Sequence, residues 1–201
     1  MADQITRLFT IRREHTGGTF EQSVYFTTFS TVFDIAAKIQ GGDKITTSFG
    51  RLALYLERVF YAGFPPYQGK KSVSQGALLQ CQSLPLKSDL TTLAKNANYD
   101  DQGKFQHRIV QRYMMEHDPK SYASEVPVWD EEFHGHIDLI RVHGPDLIEV
   151  ADFKPKAKNE KKAATQVIRY AHLLSKRTGI PLNNMIATYF DKDHAYSVPF
   201  L

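Results

Sequence analysis

His136-Ile137-Asp138-Leu139-Ile140-Arg141-Val142, then His143-Gly144-Pro145-Asp146, then Leu147-Ile148-Glu149-Val150-Ala151-Asp152-Phe153-Lys154 reads as a β-hairpin that ends on charge. Ile137, Leu139 and Val142 mark the first strand, and the Gly-Pro-Asp composition marks a tight turn. The second strand closes the hairpin, and Pro155, which has no backbone donor, stops the pairing just beyond it.

Working outward, Phe105 to Met115 reads as a helix carrying His107, with Ile109, Val110 and Tyr113 on or near its buried side. Glu125-Val126-Pro127-Val128-Trp129 reads as a short strand before a charged turn at Asp130-Glu131-Glu132. After the hairpin, Asn159 is positioned to cap a helix running to about Arg177. Its apolar stripe is Ala164, Val167, Ile168, Ala171 and Leu174, and Gly179 and Pro181 end it. Met185–Phe190 and Ala195–Pro199 follow as strands. The order is helix, three strands, helix, two strands, which is an α+β class built on a mixed central sheet.

The first hundred residues form an α+β extension of undeclared role, giving a division at 1–100 and 101–201. Ile5, Leu8, Phe9 and Ile11 suggest a strand before a turn at Thr16-Gly17-Gly18, and Ser23–Phe29 is β-branched and aromatic enough to pair with it. Leu52, Leu54, Leu56, Val59 and Phe60 suggest a helix ending near Gly63. Gly63–Gly76 reads as a linker or mobile loop.

Strand side chains alternate between faces, so Asp152 and Lys154 point the same way. Asp138 lies on the partner strand, with its carboxylate able to reach that face near the strand end. Two carboxylates with a backbone carbonyl make a hard, oxygen-rich pocket suited to Mg²⁺ or Mn²⁺. Such an ion activates water and polarises a phosphoryl oxygen, and Lys154 would neutralise the phosphate and orient the water. Lys156, Lys158, Lys161 and Lys162 follow closely, with only Glu160 among them. Such a run is equally the composition of a solvated turn and helix start. Glu149, at odd spacing from Asp152, is read as facing the other way, either to solvent or to a partner. Glu125 is a further acid near the site.

The set Gly135-x2-Asp138, Asp152-Phe153-Lys154 and a basic amphipathic helix resembles the PD-(D/E)XK nuclease superfamily, whose core order is αβββαβ. The resemblance places Asp138 and Asp152 on the metal carboxylates and Lys154 on the motif lysine. Gln166 and Tyr170 match the Q-x-x-x-Y motif of the RecB-like exonuclease branch, and at i and i+4 they share one helix face. His107, 31 residues before Asp138, falls where many members of that branch carry a metal-ligating histidine. The cysteines that hold an iron–sulfur cluster in some relatives are missing. The implied activity is metal-dependent hydrolysis of DNA phosphodiesters, exonuclease-like. Gln166, Tyr170, Lys156, Lys158, Lys161, Lys162 and Arg169 would contact or position the DNA. The likeness covers residues 102–199.

The bulk numbers set limits. In 201 residues, 42% are hydrophobic and 23% charged, and no run approaches the ~20 apolar residues of a membrane helix. A single cysteine, Cys81, excludes an internal disulfide or an all-cysteine metal site within one chain and suggests a reducing, cytoplasmic setting. The net charge of +3 is modest for a nucleic-acid binder. Three alternatives stay open: a catalytically silent DNA-binding module, a defence or toxin component, and a zinc site drawing on His134, His136 and His143. The N-terminal hundred residues are the natural place for a homo-oligomer contact or a protein partner.

Overall fold

A computed structural model describes residues 5–15, 18–28, 47–62, 71–100 and 106–200. The fold is α+β, a mixed open sheet with helices on both faces. The strands are β1 (Ile5–His15), β2 (Gly18–Thr28), β3 (Lys71–Ser72), β4 (Leu84–Pro85), β5 (Ser121–Trp129), β6 (Phe133–Gly144), β7 (Leu147–Phe153), β8 (Met185–Phe190) and β9 (Ala195–Ser197). The helices are α1 (Ser48–Ala62), α2 (Asp89–Asn96), α3 (Gln106–His117) and α4 (Ala163–Thr178). The sheet order is β1-β2-β5-β6-β7-β8-β9-β4, with β3 beside β6. All neighbours are antiparallel except β7–β8 and β3–β6. From α3 onward the order is helix, three strands, helix, two strands, as the periodicities predict.

Alternation on the central strands builds two cores. Ile140, Ile148, Val150, Ala187 and Tyr189 face α1 and α4. Leu139, Ala151, Phe153 and Phe190 face α2 and α3. Both faces of β7 are therefore covered, and every residue after Leu147 is buried, the acids Glu149 and Asp152 included. Because α4 links the parallel strands β7 and β8, it starts at the end of the sheet where β7 finishes. Gly179 closes α4 in a left-handed conformation (φ 71°) that lets its amide reach the Ser175 carbonyl at 2.8 Å.

Several expectations shift. Asn159 does not cap α4; it sits in a 3-10 turn, Ala157–Asn159, and the helix begins only after Lys162, whose side chain makes no cap bond. Ile109 is 40% exposed. The rotation of α3 that brings Val110, Gln111, Met114 and Met115 into the core turns Ile109 outward, and Tyr113 is only half-buried. Residues 63–70 of the expected loop, and residues 16–17 of the first turn, lie outside the described residues. The remainder of that loop is held in place: Lys71 and Ser72 pair with Phe133 and His134, and Val73 is buried. Beyond it, the segment from Gly76 crosses α4, where the Leu79 amide donates to Thr165 Oγ1 at 3.0 Å and Arg169 donates to the Ala77 carbonyl.

Candidate active site

One edge of β6 is shared by two strands, and the gap between them makes the site. Residues 139–144 of β6 pair with β7, whereas Phe133 and His134 pair with β3. Gly135 to Asp138 fall in the fork, with neither partner on that edge. Register continued one step past Leu139↔Ala151 would set Asp138 opposite Asp152. Instead the ladder opens, and the Phe153 amide donates to Asp138 Oδ2 at 2.9 Å. The carboxylate replaces the lost ladder acceptor, which fixes it at the end of β7 beside Asp152.

From the opposite layer, His107 on α3 places Nδ1 3.1 Å from the same Asp138 oxygen. Its ring stands edge-on to Phe153, centroids 5.2 Å apart. Asp152 faces α4, as alternation with Val150 requires, and Lys154 Nζ lies 2.8 Å from Asp152 Oδ2. Asp138, Asp152 and Lys154 thus meet, as alternation and the hairpin lead one to expect, and His107, placed there by the family resemblance alone, joins them through Asp138.

The two acids are electrostatically unlike. Both are buried, and burial disfavours charge. At Asp138 the hydrogen bond and charge of His107, helped by Lys154, win, and its carboxyl is held below the usual range. At Asp152 burial and the negative charge of Asp138 together outweigh Lys154, and the carboxyl is pushed up. Apart from the lysine ion pair, neither buried Asp152 oxygen accepts a hydrogen bond of normal geometry. Burial lowers the basicity of Lys154 and of His107, but the facing carboxylates more than compensate, and both are raised.

Tyr170, buried on α4, receives the Gln166 side-chain amide at 3.0 Å. Burial, followed by the fields of Asp152 and other acids, raises its hydroxyl well above the ordinary range. Gly135 makes this approach possible. A Cβ there would lie 2.7 Å from Tyr170 Cε1 and 3.2 Å from its hydroxyl oxygen. The Gly135-x2-Asp138 spacing therefore has a steric cause.

The basic residues divide into two kinds. Lys156, Lys158, Lys161 and Lys162 are exposed near the start of α4, and Lys162 also reaches the Ser74 carbonyl at 3.2 Å. Arg169 lies over the Phe133 ring at 4.7 Å and holds the Ala77 carbonyl, so its packing is internal.

Two features escaped the sequence reading. Gln111, one turn beyond His107, donates to Glu125 Oε1 at 2.7 Å. Glu125 occupies a left-handed conformation (φ 53°), unusual for this residue type. On the α2–α3 face, Arg141 is 1% exposed and donates to Asp118 at 2.7 Å, Glu149 at 2.8 Å and Asp89 at 2.9 Å. His143 Nε2 lies 2.7 Å from the same Glu149 oxygen. Glu149 is therefore buried and paired, not solvent-facing. Burial alone would raise its carboxyl, but His143 and Arg141 hold it below its usual value.

Among the described residues, no group of three or more His, Cys, Asp or Glu side chains is placed to hold a metal ion, and no helix is long and apolar enough to cross a membrane. Compared with known proteins, the chain matches no family model, no curated protein and no solved structure.

Proposed function

We propose that the protein is a metal-dependent deoxyribonuclease of PD-(D/E)XK type, RecB-like and lacking the iron–sulfur cysteines, that hydrolyses DNA phosphodiesters in an exonuclease-like manner. The observation that carries this reading is the convergence of Asp138, Asp152 and Lys154 at the end of β7. The donor set fits a hard divalent cation. Two inequivalent buried carboxylates crowd together, and the oxygens of Asp152 accept no hydrogen bond of normal geometry apart from the Lys154 ion pair. Asp138 and Asp152, with a backbone carbonyl, would hold Mg²⁺ or Mn²⁺, which needs few protein ligands because it keeps several waters. The ion would supply Lewis acidity and a water acidic enough to react near neutral pH.

The chain's own groups do the rest. Lys154 sits against the acids, where its ammonium can neutralise the attacked phosphate and orient the water. His107 holds Asp138 through Nδ1, and a direct role as a further ligand extends the same proposal. Tyr170 and Gln166 form the α4 wall, and Lys156, Lys158, Lys161 and Lys162 offer charges to the flanking phosphates. In-line attack forms one P–O bond and breaks another, and the departing alkoxide takes a proton.

A catalytically silent DNA-binding module is the second reading. It is favoured by the absence, among the described residues, of a three-residue metal cluster. Linear, closed-circular and single-stranded DNA incubated with Mg²⁺ or Mn²⁺ separates the two. Loss of linear substrate that Lys154→Ala abolishes supports the nuclease. Binding without cleavage by either protein supports the silent module, and cutting of closed circles removes the exonuclease claim.

A further inference from the structure

Past the end of β8 the chain turns through Asp191, Lys192 and Asp193 into β9, and three rings line up there. Tyr189 and Tyr196 stack with centroids 5.0 Å apart and planes 19° from parallel. His194 continues the row from Tyr196 at 6.4 Å and 10°. Exposure rises along it: Tyr189 is 5% exposed, Tyr196 is half-buried, and the His194 side chain keeps 42% of its surface. The row starts in the core and ends in a planar ring open to solvent.

Its position is fixed relative to the candidate catalytic residues. Tyr189 is the register partner of Asp152 on the adjacent parallel strand. Strand β9 is two strand spacings from β7, about 10 Å, or the rise of about three stacked nucleotides. One buried carboxylate ties the two places together. Asp191 Oδ1 accepts the amides of Asp193 at 2.7 Å and His194 at 2.6 Å, while Oδ2 accepts the amide of Ala157 at 2.8 Å. Ala157 lies three residues beyond Lys154, whose own amide donates to the Phe190 carbonyl at 2.8 Å. The turn that carries His194 and the turn that follows Lys154 therefore share an anchor. Exposed Lys156 lies on the second of these turns.

We propose that this row is a stacking platform, with His194 at its open end receiving one nucleobase of the strand whose phosphate lies at Lys154. This rests on the nuclease reading and adds a base-contacting subsite to it. Tyr196 backs the imidazole and keeps it from tilting, and Asp191 holds its distance from Lys154. Every base has a π face, so the subsite is sequence-tolerant.

Affinity for a labelled single-stranded oligonucleotide, read by fluorescence anisotropy, tests the platform. Ca²⁺ serves as the hard oxygen-binding cation. His194→Ala is expected to weaken binding between about 5- and 150-fold, the range of one base–aromatic stack, and His194→Phe to restore it. Unchanged affinity in His194→Ala, or failure of His194→Phe to restore it, overturns the platform. If His194→Ala does not fold, 2-aminopurine scanned along the oligonucleotide decides with wild type and His194→Phe. Quenching confined to one position supports the subsite, and quenching at none overturns it. Wild-type cleavage in Mg²⁺ that Lys154→Ala abolishes keeps the nuclease reading even where the platform fails. A wild-type protein that neither binds nor cuts DNA overturns both.

Discussion

Asp138 Oδ2 accepts the main-chain amide of Phe153 at 2.9 Å, so the carboxylate assigned to the proposed cation site also repairs the sheet where β6 parts from β7. The same oxygen is 3.1 Å from His107 Nδ1. Removing it affects fold and chemistry together. Asp138→Ala leaves a buried amide without an acceptor and is expected to cost about 1–3 kcal/mol in urea denaturation, alongside loss of cleavage. Asp138→Asn, which retains an acceptor for the amide, is expected to recover most of that stability without recovering cleavage.

Lys154 separates chemistry from folding more cleanly. Lys154→Ala removes the only cation paired with Asp152 among the described residues. Cleavage is expected to fall by about 100-fold or more, the scale of losing one charge-stabilising donor. Gel-resolved time courses on linear DNA check this. A loss confined to KM would assign Lys154 to binding alone.

Gly135 and Tyr170 make a steric test of the α4 wall. In Gly135→Ala the new methyl must displace a ring carbon 2.7 Å away, and Val73 Cγ2, at 3.3 Å, closes the other side. The expected cost is about 1–3 kcal/mol of stability from overpacking, with reduced cleavage as Tyr170 shifts. Gly135→Ala combined with Tyr170→Phe should relieve little, because the nearest atom is the ring carbon and not the hydroxyl.

The unlike acids give the metal-free protein a defined pH response. Asp152 in the folded protein titrates above its unfolded value because of burial and Asp138. Its contribution is therefore complete below the unfolded carboxylate pKa and is lost as pH rises through the raised folded value. His107, also raised, acts in the same direction over a higher range, above the unfolded imidazole pKa. Asp138 and Glu149, both lowered, contribute above the unfolded carboxylate pKa and are lost as pH falls through their folded values. Thermal melts without metal should show stability declining from weakly acidic toward alkaline pH, with Mn²⁺ reversing the decline. In Asp152→Asn the part due to that carboxyl should vanish. A flat wild-type profile would contradict the electrostatic picture of the site.

Arg141 is the structural counterpart on the other face. Its guanidinium is enclosed by Asp118 and Glu149, both nearly fully buried, and by the half-exposed Asp89. Arg141→Ala leaves the buried Asp118 without its cation and Glu149 with His143 alone, and is expected to cost about 3–5 kcal/mol. Denaturant titration reads it directly.

Much of the second half is legible in the sequence because each element there has one dominant period. Strand β7 runs from Leu147 to Phe153 as read, β8 from Met185 to Phe190, and α4 ends at Gly179. The Asp138, Asp152 and Lys154 group follows from alternation plus one hairpin. What could not be read depends on contacts distant in sequence. Arg141 looks like an ordinary outward strand residue until Asp89 and Asp118 arrive from other elements. Gln111 meets Glu125 from a different element, at a strand position where Glu125 takes a positive φ that its residue type does not announce. Asn159 has the right chemistry for a cap, but Ala157, drawn to Asp191, spends that turn as 3-10 helix. The segment after Lys71 looks like a loop because its partners, Phe133, His134 and Thr165, lie more than sixty residues away.

Isothermal titration of the wild-type protein with Mn²⁺, repeated in buffers of different ionisation enthalpy, addresses the proposed cation site most directly. The expected result is saturable binding with proton release, as the raised Asp152 carboxyl gives up its proton, and loss of that binding in both Asp138→Asn and Asp152→Asn. Absence of binding, or binding that survives both substitutions, would contradict a cation held between these two acids.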